Sequence, residues 1–160
     1  MAFVCTAAAN NSVITEVDGN ILLPVGHDDD AGRTFFTFNG FAPVVGGGAM
    51  EYLFCLVEFD PLEGAEHRYW NGADVARFIG KNDREKILDV FIYGARVLLE
   101  HDPPSRVFMC TSDTNLPEPA MRKYLLMADV FKEAGYDVAE ALPELGVRSW
   151  WIELPDRTEG

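Results

Sequence analysis

The sequence predicts a single α+β domain, with helices packed on a mixed β-sheet. Three observations predict this fold class. The N-terminal half is rich in β-forming residues separated by turn signals, the run over 51–59 is apolar enough for a buried strand, and the C-terminal half follows a βαβαββ pattern. The chain of 160 residues has the length of one domain, so we assign residues 1–160 to a single unit.

Strands and turns dominate the first forty residues. Two β-rich runs, 12–17 and 20–25, flank Asp18-Gly19, a dipeptide typical of a tight hairpin. After a polar loop, a third strand is predicted over 33–38. The dipeptide Asn39-Gly40 is expected to end this strand as a turn.

The strongest strand pattern of the chain lies over 51–59. Its residues are apolar on both faces, which predicts a central strand that is covered on both sides. Residues 60–82 are irregular, with room for one short helix near 74–78. Further strands are predicted over 106–111 and, at the C-terminal end, near 136–139 and 148–154. The crossover from 51–59 to 106–111 contains a helix, so these two strands are expected to be parallel.

Two amphipathic helices are predicted in the C-terminal half, over about 83–100 and 119–134. Asn82 or Asp83 is suited to cap the first helix, and Gly135 is expected to end the second. The apolar stripes are Ile87, Val90, Phe91, Gly94, Val97 and Leu98 in the first helix, and Met121, Tyr124, Leu125, Ala128 and Phe131 in the second. Both stripes are expected to pack on the sheet.

The net charge is strongly negative, at −13, from 26 acidic and 13 basic residues. Such a balance argues against direct binding of nucleic acid, because contact with phosphates needs a basic surface. Two interpretations of the acidic surface remain open. It provides solubility, or it meets a partner with a basic surface, either directly or by imitating a polyanion.

Membrane, secretory and metal-binding signals are missing from the sequence. The longest apolar runs are shorter than the roughly 20 residues of a membrane span, and the N-terminus has no basic stretch of a signal peptide. The three cysteines, Cys5, Cys55 and Cys110, are far apart and have no zinc-site spacing. We therefore predict a soluble cytoplasmic protein with reduced thiols and no metal site.

Two local motifs accompany the predicted helices. Arg77-Phe78-Ile79-Gly80-Lys81-Asn82 precedes the first helix, and Phe131-Lys132-Glu133-Ala134-Gly135-Tyr136 ends the second. With the order of strands and helices over 33–154, these motifs resemble a divergent member of the GNAT superfamily, the acyl-CoA-dependent N-acyltransferases. The resemblance implies a GNAT-like mixed sheet and the transfer of an acyl group, such as acetyl, to an amine.

The first motif is similar to the loop with which GNAT proteins hold the pyrophosphate of acyl-CoA. Under this resemblance Arg77, Gly80, Lys81 and Asn82 would bind acetyl-CoA. The backbone N–H groups at a helix N-terminus and the positive end of its dipole favour an anion. Arg77 and Lys81, together with Arg84, would add positive charge in an acidic protein.

The second motif bears on catalysis. GNAT proteins often have a Tyr at the position of Phe131, where it acts as general acid, and a phenyl ring has no proton to donate. Tyr124, seven residues earlier on nearly the same helix face, is the substitute that we consider. For the general base we select Glu58, with Glu51 and His67 as the other candidates. The alternative function is a non-catalytic, acidic interaction or inhibitor protein that binds a basic partner.

Overall fold

In the computed structural model, which describes residues 2–8 and 13–156, the chain forms a nine-stranded sheet and three helices. The strands are β1 (Phe3–Cys5), β2 (Thr15–Val17), β3 (Asn20–Asp28), β4 (Thr34–Pro43), β5 (Met50–Asp60), β6 (Ala65–Tyr69), β7 (Arg106–Cys110), β8 (Asp137–Glu140) and β9 (Ser149–Glu153). The helices are α1 (Gly72–Val75), α2 (Lys81–Glu100) and α3 (Glu118–Glu133). None of the helices in these described ranges is long and apolar enough to cross a membrane.

The sheet is mixed, which confirms the predicted α+β class. Its main path has the order β1-β3-β4-β5-β7-β9-β8, with β2 also paired to β3 and β6 to β5. Strands β5 and β7 are parallel and the other pairs are antiparallel. The parallel pair is the one predicted from the helical crossover, and β5 is the central strand, as its apolar pattern indicated.

One hairpin was predicted and another was not. Asp18 and Gly19 have φ angles of 52° and 79° and connect β2 to β3, as expected of this dipeptide. The hairpin of β5 and β6 was not predicted because residues 65–68 are all exposed and lack the alternation that marks a half-buried strand.

The strand predicted to end at Asn39-Gly40 continues to Pro43 instead. Asn39 is fully buried, where its side-chain amide donates to the carbonyl of Phe91 (3.4 Å) and accepts a hydrogen bond from the Tyr52 hydroxyl. The prediction of a turn was wrong because this amide is satisfied inside the core.

The helices pack against one face of the sheet and form the main core with it. Most of the predicted stripe residues are buried, but Leu125 is 43% exposed and Val130 lies in the core instead. Helix α2 begins at Lys81, two residues before the predicted start, with Gly80 as N-cap. Neither Asn82 nor Asp83 caps it, so that part of the prediction was wrong.

The opposite face of the sheet carries a second, smaller apolar cluster made of strand residues alone. Its buried members are Phe38, Cys55 and Val57. The guanidinium of Arg68 lies 4.8 Å from the ring centroid of Phe38 and covers part of it. Strand β5 is therefore buried on both faces, as predicted.

Candidate functional site

A cavity of about 470 Å³ opens beside the middle of β5. Its walls come from the end of β6, the short helix α1 and the first turns of α2 and α3. Phe54, Cys55 and Leu56 of β5 all line it. Because consecutive residues of a strand point to opposite faces of the sheet, three in a row mean that the strand borders the cavity with its edge.

The edge of β5 is open there because its two neighbours on that side pair with different parts of it. Strand β7 pairs with β5 only at Met50 and Glu51, and β6 pairs with it from Leu56 onwards. Between them, residues 52–55 have a strand partner only on the β4 side within the described part of the chain. Backbone groups at such an open edge can pair with an extended ligand.

The cavity gathers positive charge in an acidic chain. Of the residues that the structure describes, four basic ones line it, against one acidic one, Glu85. The basic residues are Lys81 and Arg84 from α2, and Arg122 and Lys123 from α3. The N-terminal turn of α2 adds the positive end of its helix dipole. The cavity therefore favours an anionic ligand.

Both arginines among these cations are already engaged within the protein. Arg84 donates to the carbonyl of Ile79 (2.8 Å), just before α2 begins. Arg122 donates to the carboxylate of Glu85 (2.6 Å), which joins α3 to α2. This hydrogen bond raises the pKa of Arg122 and lowers the pKa of Glu85. Both guanidinium groups keep further N–H donors for a ligand.

Lys123 is half-buried and lies against the aromatic part of the wall. Its Nζ donates to the carbonyl of Trp70 (3.2 Å) and lies 5.1 and 5.6 Å from the ring centroids of Tyr124 and Phe54. Burial lowers the pKa of Lys123, while the carboxylate of Asp113 acts in the opposite direction. Its amine is held in place inside the apolar part of the wall.

The predicted base, Glu58, does not line the cavity itself but contacts a residue that does, Tyr69. Its buried carboxylate accepts hydrogen bonds from the guanidinium of Arg33 (2.8 Å) and the hydroxyl of Tyr69 (2.5 Å). Tyr69 lines the cavity. Burial and the bond to Glu58 raise the pKa of Tyr69, so this hydroxyl keeps its proton at neutral pH. Glu58 is thus connected to the cavity through Tyr69.

The predicted acid, Tyr124, likewise does not line the cavity but contacts a residue that does, Ser112. Its ring is buried, 5.8 Å from the ring centroid of Trp150 and nearly parallel to it. Its hydroxyl accepts from the backbone N–H of Ser112 (3.0 Å) and lies 3.1 Å from the Ser112 hydroxyl. Ser112 lines the cavity, so Tyr124 reaches it through this residue.

The other residues considered for catalysis lie outside the cavity wall. Glu51 lies where β5 and β7 pair, and its carboxylate accepts the thiol proton of Cys110 (3.6 Å). His67 faces Glu58 across the β5–β6 hairpin, with its ring centroid 4.4 Å from that of Tyr69. Phe131 packs edge-on against Tyr52 in the core.

Of the predicted phosphate-binding residues, only Lys81 lines the cavity. Gly80 is the N-cap of α2 and Asn82 is exposed in its first turn. Arg77 is 80% exposed and its guanidinium is 3.7 Å from the carboxylate of Asp74.

Sequence reasoning missed Arg122 and Lys123. The available signal was a pair of adjacent basic residues in the first turns of a helix in an otherwise acidic chain.

No protein family model matches the chain, and no similar curated protein or solved structure was found. Within residues 2–8 and 13–156, no three His, Cys, Asp or Glu side chains are grouped so as to hold a metal ion.

Proposed function

We propose that the chain is a GNAT-like protein that binds acyl-CoA in the cavity and transfers the acyl group to an amine. The observation that carries this proposal is the concentration of four basic residues around an apolar cavity in a chain of net charge −13. Acyl-CoA combines a highly charged phosphate portion with a long, mostly uncharged arm. A site for it needs this combination of a cationic mouth and an apolar interior.

The arrangement of the walls suits the parts of the ligand. The pyrophosphate would lie at the first turn of α2, where Gly80, Lys81 and Asn82 begin the helix, with Arg84 and Arg122 beside it. The arm of the ligand carries amide groups, and these would pair with the open edge of β5 at residues 52–55. Its thioester end would then enter the apolar part of the cavity.

The order of elements further supports a GNAT-like fold. After β5 and the β6 hairpin, the chain continues through α2, the parallel strand β7, α3 and the pair β8–β9. Helix α3 is followed by Gly135, with a φ angle of 96°, and Tyr136, in agreement with the motif that carries the resemblance.

The predicted catalytic pair would act through the two hydroxyl groups of the wall. Glu58 would take the proton of the acceptor amine by way of Tyr69, and Tyr124 would supply a proton to the departing thiolate by way of Ser112. In this scheme the amine nitrogen attacks the thioester carbonyl, the C–N bond forms and the C–S bond breaks. The products are an amide and the free thiol of CoA.

Calorimetric titration with CoA and acetyl-CoA tests the proposal. We expect binding that weakens with salt, and a melting temperature that rises with ligand concentration. Lys81→Ala and Arg122→Ala should each weaken binding about tenfold, because each removes a charge-assisted contact to a phosphate.

Lys86→Ala is the matched control, since Lys86 is exposed on the same helix and does not line the cavity. Arg77→Ala shows whether the phosphate site extends to the predicted loop. The absence of any thermal shift at millimolar acetyl-CoA would refute the proposal.

The distribution of acidic residues favours a second candidate, a non-catalytic protein that contacts a basic partner. Among the residues that the structure describes, every acidic one except Glu85 lies away from the cavity wall. On the sheet face opposite the helices, Trp151 is 44% exposed beside Phe108, and an exposed aromatic residue can anchor a protein contact. For this function we expect no response to acetyl-CoA, and complexes that dissociate as ionic strength rises.

A further inference from the structure

We propose that Lys123 is itself an acyl acceptor, whose side-chain amine takes the acyl group from a thioester bound in the cavity and becomes an Nε-acyl-lysine. This inference rests on the proposed function, because the donor must occupy the cavity. It adds a covalent modification of the protein at a defined position, and it makes the cavity self-regulating.

The position of the amine supports the proposal. Lys123 lines the cavity from the first turns of α3, and its Nζ is held by the Trp70 carbonyl at 3.2 Å. The same carbonyl accepts from the hydroxyl of Ser112 (3.1 Å), which also lines the cavity. An amine that is fixed next to a bound thioester reacts at a high effective concentration.

The protonation state of the amine also affects the reaction, because only a neutral amine has the lone pair for attack. Burial favours the neutral form and lowers the pKa of Lys123 from the usual 10.5. Asp113 opposes this shift. The other charged or titratable groups of the cavity wall are Lys81, Arg84 and Glu85 on α2, Arg122 on α3, and Cys55 and Tyr69 on β5 and β6.

The step balances without an oxidant or reductant. The lone pair of Nζ attacks the thioester carbonyl carbon, the C–N bond forms and the C–S bond breaks. The electron pair of the C–S bond leaves with the CoA thiolate, which takes the proton released by the amine. The resulting amide is uncharged, so the cavity loses one positive charge and would bind the next anionic ligand more weakly.

The experiment uses the full chain incubated with acetyl-CoA, followed by peptide mass spectrometry at each lysine. The chain has four lysines, and Lys86 and Lys132 are exposed internal references for reaction in solution. We expect Lys123 to be acetylated at least about tenfold faster than these two, because its reaction is intramolecular within the complex. An excess of CoA should suppress acetylation at Lys123 alone. The rate should rise with pH, with its midpoint below the 10.5 of an ordinary lysine.

Two variants complete the test. Lys123→Arg keeps the charge but cannot be acylated, so the modification should vanish, while Lys86→Arg should leave the modification of Lys123 in place. Equal acetylation of all lysines, or none at Lys123 although calorimetry records acetyl-CoA binding, would overturn this inference and leave the proposed function standing. No binding at all would overturn both.

Discussion

Two charged regions of the molecule meet at Tyr69 and differ in how their charges are satisfied. In the first, the buried cluster of Arg33, Glu58 and Tyr69, the carboxylate accepts a hydrogen bond from each of its two partners. In the second, the cavity, four cations face one carboxylate. Removing one partner of a buried, hydrogen-bonded charge destabilises the fold, whereas a region with an excess of one sign is prepared for a ligand.

The buried cluster also has a geometric function. Glu58 is 5% exposed, and its hydrogen bond with Tyr69 orients that hydroxyl at the cavity wall. Arg33 contributes a second contact, with its Nε 3.6 Å from the carboxylate of Asp60. The cluster therefore ties β5 and β6 to the residue that precedes β4, beside the cavity.

The largest loss of stability should follow from removing the carboxylate of the buried cluster. Glu58→Ala leaves the Tyr69 hydroxyl and the Arg33 guanidinium without their acceptor, and we expect the free energy of unfolding to fall by about 2–3 kcal/mol. Arg33 is partly exposed, so the loss is smaller than for a fully buried pair. Urea denaturation measures it, with Glu63→Ala at the exposed β5–β6 turn as control.

The isosteric Glu58→Gln variant separates the structural function of Glu58 from catalysis. If the variant remains folded and binds acetyl-CoA but no longer transfers the acyl group, Glu58 acts as the base. If transfer continues at the normal rate, the function of Glu58 is confined to stabilising the fold and orienting Tyr69.

A smaller change in stability, dependent on pH, should come from Cys55, which lines the cavity but carries no charge. Burial raises the pKa of this thiol from 9.0 to about 12. In the unfolded chain it ionises near pH 9, so the unfolded state releases its proton first as the pH rises. Stability from this thiol is complete below pH 9 and is lost as the pH rises toward 12.

The measurement is urea denaturation at pH 8 and pH 10. We expect Cys55 to account for about 1 kcal/mol of the decrease in unfolding free energy between these values. Cys55→Ala should reduce the decrease by that amount. A variant with the same pH dependence as the wild-type chain would mean that the thiol titrates normally in the folded state.

The fold could be predicted from the sequence where one residue pattern corresponds to one environment. The apolar run of β5 and the helical stripes of α2 and α3 are such patterns, and the sheet and its parallel pair followed from them. The prediction of a turn at Asn39-Gly40 failed because the same dipeptide occurs both in turns and in core strands. Here it lies in a core strand, where Tyr52 and Phe91 satisfy the Asn39 amide. Local sequence does not contain the information that separates the two.

The site was less predictable for a related reason. Lys81 could be selected because it lies in a motif at a helix start, but Arg122 and Lys123 are 41 and 42 residues further along the chain. Only the packing of α3 beside α2 brings these cations to the same cavity. A single sequence records that a chain has basic residues, whereas their convergence depends on tertiary contacts.

The smallest change in stability should come from Glu85, which pairs with Arg122 as Glu58 pairs with Arg33 but lies on the surface. Ion pairs in water contribute little, so Glu85→Ala should leave the urea midpoint unchanged within error. The same substitution removes the carboxylate of Glu85 from the cavity wall and frees Arg122. We therefore expect CoA to bind several-fold more tightly at low salt, and by less at high salt.

Glu133→Ala is the matched control for this comparison, because Glu133 pairs with Arg96 between the same two helices, away from the cavity. It should leave both the urea midpoint and the affinity for CoA unchanged. Unaltered or weaker CoA binding in Glu85→Ala would contradict an anion site at Arg122. A large loss of stability in Glu85→Ala would instead mean that the charges of the cavity hold the fold together, as those of the buried cluster do. The two regions would then not differ in the way proposed.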